Sequence, residues 1–130
     1  MFPNIHLRIN CTDVYEAKEK LSKVRWNERL ALIVGDILIK AEGVVSVSLL
    51  REVWPEAFIV ADLRAEKAEE AELASIGGAD GATILANMRP EEIDGFIDSC
   101  HKKDIMVYLL SEAWPHRLLN ALKKLSLIHI

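Results

Sequence analysis

Apolar and polar residues alternate through Ile5-His6-Leu7-Arg8-Ile9, a period of two that predicts a strand. Asp13 and Glu16 then stand at capping-box spacing, and Val14, Ala17, Leu21 and Val24 follow on one helical face. Leu30 to Val34 is an unbroken apolar run, as expected of a strand buried on both faces. Val44, Val45, Val47, Leu49, Leu50 and Val53 form a helix-length segment closed by Pro55, although its valines favour strand. Phe58-Ile59-Val60-Ala61 is the next buried strand, and the charged run 66–72 opens a helix that Gly77-Gly78 ends. Ala82-Thr83-Ile84-Leu85 is a strand, and Pro90-Glu91-Glu92 starts a helix with proline at its first position and acids at the positive dipole end. Ile93, Phe96, Ile97 and Cys100 form its buried stripe. A strand over 105–110 follows, then a helix striped by Leu118, Leu119, Leu122 and Leu125, then the start of a sixth strand at 127–130.

Repeated βα units with buried strands imply a parallel α/β sheet with right-handed crossovers. Two architectures fit: a partial TIM-type (β/α) barrel of about five βα units plus the start of a sixth strand, or an open doubly wound parallel sheet. Both place chemistry at the carboxyl ends of the strands. Those ends hold Asn10 to Asp13, Gly35-Asp36, Asp62 to Lys67, Ala86-Asn87, Tyr108 to Glu112, and His129.

Composition narrows the class. The chain is 51% hydrophobic over 130 residues, which is too apolar for disorder and suits one domain, 1–130. Its net charge of -4 is spread along the whole length, so no nucleic-acid partner is expected. No apolar run approaches the roughly 18 residues of a membrane span, and Met1-Phe2-Pro3-Asn4 does not read as a secretory signal. A cytoplasmic protein without a membrane partner is the expectation. Cys11 and Cys100 suggest neither a disulfide scaffold nor a metal pair, and Cys100 on a helix stripe reads as a small core residue. His6, His101, His116 and His129 are too scattered for a local zinc site, and Gly77-Gly78 precedes a strand, so it is not a dinucleotide loop. Trp26, Trp54 and Trp114 are expected to pack under helices. A receiver domain needs paired acids after the first strand and a lysine after the fifth; Asn10 and Ser111-Glu112 do not supply them.

One group of segments is more specific. Val34-Gly35-Asp36-Ile37-Leu38-Ile39-Lys40-Ala41-Glu42-Gly43 is followed by Ile59-Val60-Ala61-Asp62-Leu63-Arg64 and by Gly78-Ala79-Asp80-Gly81-Ala82-Thr83-Ile84-Leu85. In order and spacing these resemble V-G-T-P-L-I-K-A-E-G, I-V-A-D-L-K and G-A-D-x-V-T-V-L of the hexulose-6-phosphate synthase and 3-keto-L-gulonate-6-phosphate decarboxylase family, relatives of orotidine 5'-phosphate decarboxylase. The resemblance implies a (β/α)8 barrel, usually dimeric, that acts on a sugar phosphate or nucleotide. It also implies a magnesium-bound enediolate and a third-strand motif D-x-K-x-x-D. The acids of that motif bind metal or substrate, and its lysine neutralises developing charge.

Carried over residue by residue, the family's site is altered. The first-strand aspartate falls on Asn10, the second-strand metal-binding glutamate on Ile33, and the fifth-strand aspartate on Tyr108. In the third strand Asp62 is kept, but the lysine becomes Arg64 and the last aspartate Lys67; His129 matches the sixth-strand histidine. Asp62 is the one metal ligand left, so no cofactor is expected, with Mg2+ retained only as what the resemblance implies. Arg64 keeps a positive charge but is too weak an acid for proton transfer. The competing structural reading makes Asp62 and Arg64 a strand-end ion pair and 67–72 a solvated helix face. Barrels of this type need at least about 200 residues, so 130 read as a truncated domain without the phosphate loops of strands seven and eight. The expectation is a catalytically impaired homologue acting as a binding or oligomeric module, a homo-oligomer that covers its open sheet edges. The alternative is an active carbon-carbon lyase, an aldolase or decarboxylase, that uses Asp62 and Arg64 with His129; Asn10 and Lys67 complete the candidate site.

Overall fold

In the computed structural model, residues 3–110 and 128–129 are described. Strands β1 (Ile5–Ile9), β2 (Leu30–Val34), β3 (Phe58–Ala65), β4 (Gly81–Leu85), β5 (Met106–Leu110) and β6 (Ile128–His129) form one sheet whose spatial order is the chain order. All the pairings are parallel. An order without reversal is the winding of a barrel wall. A doubly wound sheet reverses at a switch point, so that alternative falls.

Right-handed crossovers that step in one direction put every helix on one face. Ile9, Leu32, Val34, Ile59, Ala61, Ala82, Ile84, Val107 and Leu109 on that face share a core with Leu21, Leu38, Val47, Leu50 and Phe96 of the helices. The other face carries His6, Arg8, Ile33, Val60, Asp62, Thr83 and Tyr108, and these line a concave cavity of about 410 Å³. Period-two alternation in the strands thus separates a packed outer layer from an inner face of mixed polarity that carries the charged side chains.

Local chemistry explains the helices. Asp13 caps α1 (Val14–Ser22) by accepting the Tyr15 N–H at 2.8 Å. The helix stops at Ser22, so Val24, expected on its face, lies beyond it and is exposed. The expected single helix over 44–53 is α3 (Val45–Arg51), and a separate helix, α2 (Asp36–Glu42), precedes it. Gly43, at φ 81°, divides the two, because its left-handed backbone suits a residue without Cβ. The 3-10 turn Ala68–Glu70 leads into α4 (Ala71–Gly77), which ends on Gly78 at φ 74°. Helix α5 (Pro90–Lys102) starts at proline and buries the expected stripe. The expected fifth-unit helix, together with Trp114 and His116, lies outside the described residues. Trp54 is buried and donates its indole N–H to the Val24 carbonyl at 3.3 Å, while Trp26 is partly buried against the core.

At the amino end of the strands, Arg51 ties three segments together. Its guanidinium donates to the carbonyls of Ala57 (2.9 Å) and Gly78 (3.0 Å) and to Asp80 Oδ2 (2.7 Å). Asp80 Oδ2 also accepts the Ile59 N–H, which fixes the start of β3.

Cys100 is fully buried, and burial pushes its thiol up from 9.0 to about 11. Between those values the unfolded chain ionises this thiol and the folded chain does not, so stability falls as pH rises through the interval. Denaturant midpoints measured below pH 9 and near pH 11 are expected to fall less in Cys100→Ala than in the parent. In the native state a thiol reagent should modify half-buried Cys11 and leave Cys100 untouched.

Candidate active site at the carboxyl ends of the strands

The charged side chains of the inner face converge at the carboxyl ends of β1, β2 and β3. Asp62 is 2% exposed. Its Oδ1 accepts the Thr83 hydroxyl at 2.8 Å, and its Oδ2 pairs with Arg8 Nη1 at 2.7 Å and Arg64 Nε at 3.4 Å. Thr83 acts as a relay, because the same hydroxyl oxygen accepts the Arg64 backbone N–H at 2.8 Å. Asp36, the first residue of α2, receives Arg8 Nη2 at 2.9 Å and lies 3.8 Å from Arg64 Nε. Two guanidiniums and two carboxylates therefore alternate in a closed ring.

Backbone irregularity aims Arg64 into that ring. The register of β3 against β4 shifts between Ala61 and Ala65, a bulge at the strand end. Arg64 sits there at φ 47°, a left-handed conformation that costs a non-glycine residue about 1–2 kcal/mol. The Thr83 hydroxyl and the two acids hold it in place.

Asn10 works one step outside the ring. Its Oδ1 accepts the N–H groups of Ile37 (2.9 Å) and Leu38 (3.3 Å), capping α2 from the loop after β1, because Gly35 at the N-cap has no side chain for the purpose. Its Nδ2 donates to Asp36 Oδ1 at 3.4 Å. An aspartate at position 10 would place a second anion against Asp36, whereas the amide offers it a donor. Tyr108 lines the cavity and lies over Gly81, where a Cβ would be 2.9 Å from its ring. Burial raises its phenol above the ordinary value, so it presents a neutral hydroxyl.

Of the residues singled out from sequence, the structure brings Asp62 and Arg64 into direct contact and links Asn10 to them through Asp36. Lys67 stands apart: it is exposed ahead of the 3-10 turn, donates its backbone N–H to Glu70 Oε2 at 2.9 Å, and does not line the cavity. His129 pairs in register with Tyr108 in β6. Sequence reasoning missed Arg8 and Thr83. The alternation of β1 places Arg8 on the face away from the helices, but alternation alone does not separate an inward guanidinium from a solvated one.

Magnesium, which the family resemblance implies, favours octahedral oxygen coordination. Here the position of the metal-binding glutamate holds Ile33, and both oxygens of Asp62 are occupied by a hydroxyl and two guanidiniums. Among the described residues no three His, Cys, Asp or Glu side chains gather as ligands. The ion does not fit this donor set.

A singly wound parallel sheet with its polar chemistry inside the carboxyl rim defines a protein of the (β/α)-barrel class. Comparison with known proteins narrows this. No family model matches the chain. The bifunctional enzyme Fae/Hps of Methanocella arvoryzae is 32% identical over 126 residues, and that of Methanosarcina barkeri 29% over 125; each alignment takes in 93% of this chain and 32% of the relative. The chain thus spans about a third of the length of the curated relatives it matches. Among solved structures, 3-keto-L-gulonate-6-phosphate decarboxylase from Vibrio cholerae superposes with a TM-score of 0.80 at 22% identity, over 97% of this chain and 60% of that one. A 3-hexulose-6-phosphate synthase gives 0.76 at 22% identity, over 95% and 60%. Orotidine 5'-monophosphate decarboxylase from Methanocaldococcus jannaschii gives 0.71 at 18% identity, over 97% and 60%. The chain is thus similar in sequence to part of the bifunctional Fae/Hps enzymes, and it shares the fold of 3-keto-L-gulonate-6-phosphate decarboxylase, 3-hexulose-6-phosphate synthase and orotidine 5'-monophosphate decarboxylase.

Proposed function

We propose that this chain is a catalytically impaired homologue of the sugar-phosphate lyases, one that keeps the barrel mouth as a binding site for a small phosphorylated sugar or nucleotide. The observation that carries the reading is the closed ring of Arg8, Asp36, Arg64 and Asp62. A general base needs an oxygen that can approach the substrate proton, and Asp62 already has both oxygens engaged. Arg64 supplies charge but holds its proton too firmly to pass it on. Tyr108 and Ile33 add no carboxylate at the remaining positions. What the mouth offers is recognition: guanidinium N–H groups for anionic oxygens and a neutral phenol for a hydroxyl. A 3-keto-L-gulonate-6-phosphate decarboxylase of the same fold, from Streptococcus mutans, has been solved in complex with a sugar phosphate, which supports a ligand of this class.

The test pairs calorimetry with turnover. Ribulose 5-phosphate or an orotidylate analogue is expected to bind saturably, with affinity falling about tenfold or more in Arg64→Ala. Carbon-carbon lyase turnover of ribulose 5-phosphate or keto-gulonate 6-phosphate should run about 10³-fold or more below that of an active synthase or decarboxylase. Turnover near the enzyme level that disappears in Asp62→Asn would overturn the reading in favour of an active lyase. That second reading draws on the placing of Asp62 beside Arg64 inside the cavity. The same proposal takes 1–130 as one domain that self-associates. Among the described residues β1 pairs only with β2, and Ile5 on this strand is 49% exposed. Sedimentation should show a dimer or larger species.

A further inference from the structure

We propose that Arg8 is a built-in cation standing where a divalent ion would bridge the two acids of the mouth, so that the site is metal-independent by construction. Nη1 of its guanidinium meets Asp62 Oδ2 at 2.7 Å and Nη2 meets Asp36 Oδ1 at 2.9 Å. One planar group thus joins a carboxylate at the end of β3 to another at the start of α2, the bridging role of a metal between two acids. The acids are close enough to share a single cation, because Arg64 Nε lies within 3.4 Å of one and 3.8 Å of the other. Arg8 reaches this point from β1, where it registers beside Ile33; the apolar side chain at that position offers no third oxygen.

Fixed charge makes the arrangement self-consistent. The two carboxylates face two guanidiniums and, 4.0 Å from Asp36 Oδ2, the Lys40 ammonium, so a divalent ion entering the ring would sit against fixed positive groups. Removing Arg8 changes this. Two acids would then face the Arg64 guanidinium and the exposed Lys40 ammonium, the Thr83 hydroxyl would remain beside Asp62, and the vacated volume would admit a hydrated ion. Arg8 therefore decides which cation the mouth uses, and the inference stands whether or not the mouth takes a sugar phosphate.

Manganese is the probe, because the resonance of the free hydrated ion is lost on binding. The parent chain should leave the manganese signal unchanged, and its melting temperature should be the same with magnesium or with chelator. Arg8→Met should bind manganese about tenfold or more tightly than the parent, Arg8→Gln should do so too, and adding Asp62→Asn should abolish the gain. Arg8→Lys, which restores a fixed charge, should again exclude the ion. The proposal is overturned by saturable manganese binding to the parent that disappears in Asp62→Asn. Folded Arg8→Met and Arg8→Gln proteins that bind no better than the parent also overturn it, as does tight binding that survives Asp62→Asn. If neither variant folds even in manganese, a divalent ion cannot stand in for the guanidinium, and the proposal fails on that result as well.

Discussion

Asp62→Ala is expected to lower the unfolding free energy by about 2–4 kcal/mol, because it leaves two guanidiniums facing each other across the space of a buried anion. Removing one partner of a buried pair is costlier than the pair is worth, since the surviving charge has lost both water and counter-ion. Here the guanidiniums are partly exposed, at 38% for Arg8 and 48% for Arg64, so solvent relieves part of that penalty and the lower half of the range is favoured. The carboxylate also orders Thr83, whose hydroxyl holds the left-handed Arg64. Its loss should therefore loosen the β3 bulge as well as the ring. Asp62→Asn keeps an acceptor for Thr83 and removes only the charge, so it should cost about half as much. Urea unfolding of the two variants separates the parts. Equal losses would mean that the hydroxyl contact contributes nothing and the charge everything.

Gly35→Ala should cost about 2–3 kcal/mol despite an ordinary backbone conformation, φ −68°. A Cβ at this position would land on Cγ and Oδ1 of Asn10. Asn10 would have to leave, uncapping the N–H groups of Ile37 and Leu38 and taking the amide donor away from Asp36. The decisive measurement is a double-mutant cycle. Asn10→Ala alone should cost about 1–2 kcal/mol, and Gly35→Ala added to it should cost little more, since the side chain it displaces is already gone. Additive losses would show that the glycine is needed for some other reason.

Much of the barrel wall was legible along the chain. Unbroken apolar runs marked β2 and β3, proline and acids marked the start of α5, and Gly77-Gly78 marked the end of α4. Helix α2 was not legible, because its cap is contributed by Asn10 from the loop after β1 and the valines at 44–53 mark only the following segment. At the site, Asp62 and Arg64 stood out through their motif. Arg8 did not, since nothing local distinguishes an inward guanidinium from a solvated one.

Hydrophobic periodicity was enough to establish an alternating βα chain, and the resemblance of three segments to the sugar-phosphate lyases pointed to Asp62 and Arg64 on the carboxyl rim. Side-chain alternation is a property of each strand alone, so it can say which face a residue occupies without knowing its neighbours. Which charge meets which is decided by register. Only when β1, β2 and β3 lie side by side do Arg8, Asp36 and Asp62, far apart in the chain, come within hydrogen-bonding distance. That juxtaposition turned an apparently depleted metal site into a closed ring of fixed charges.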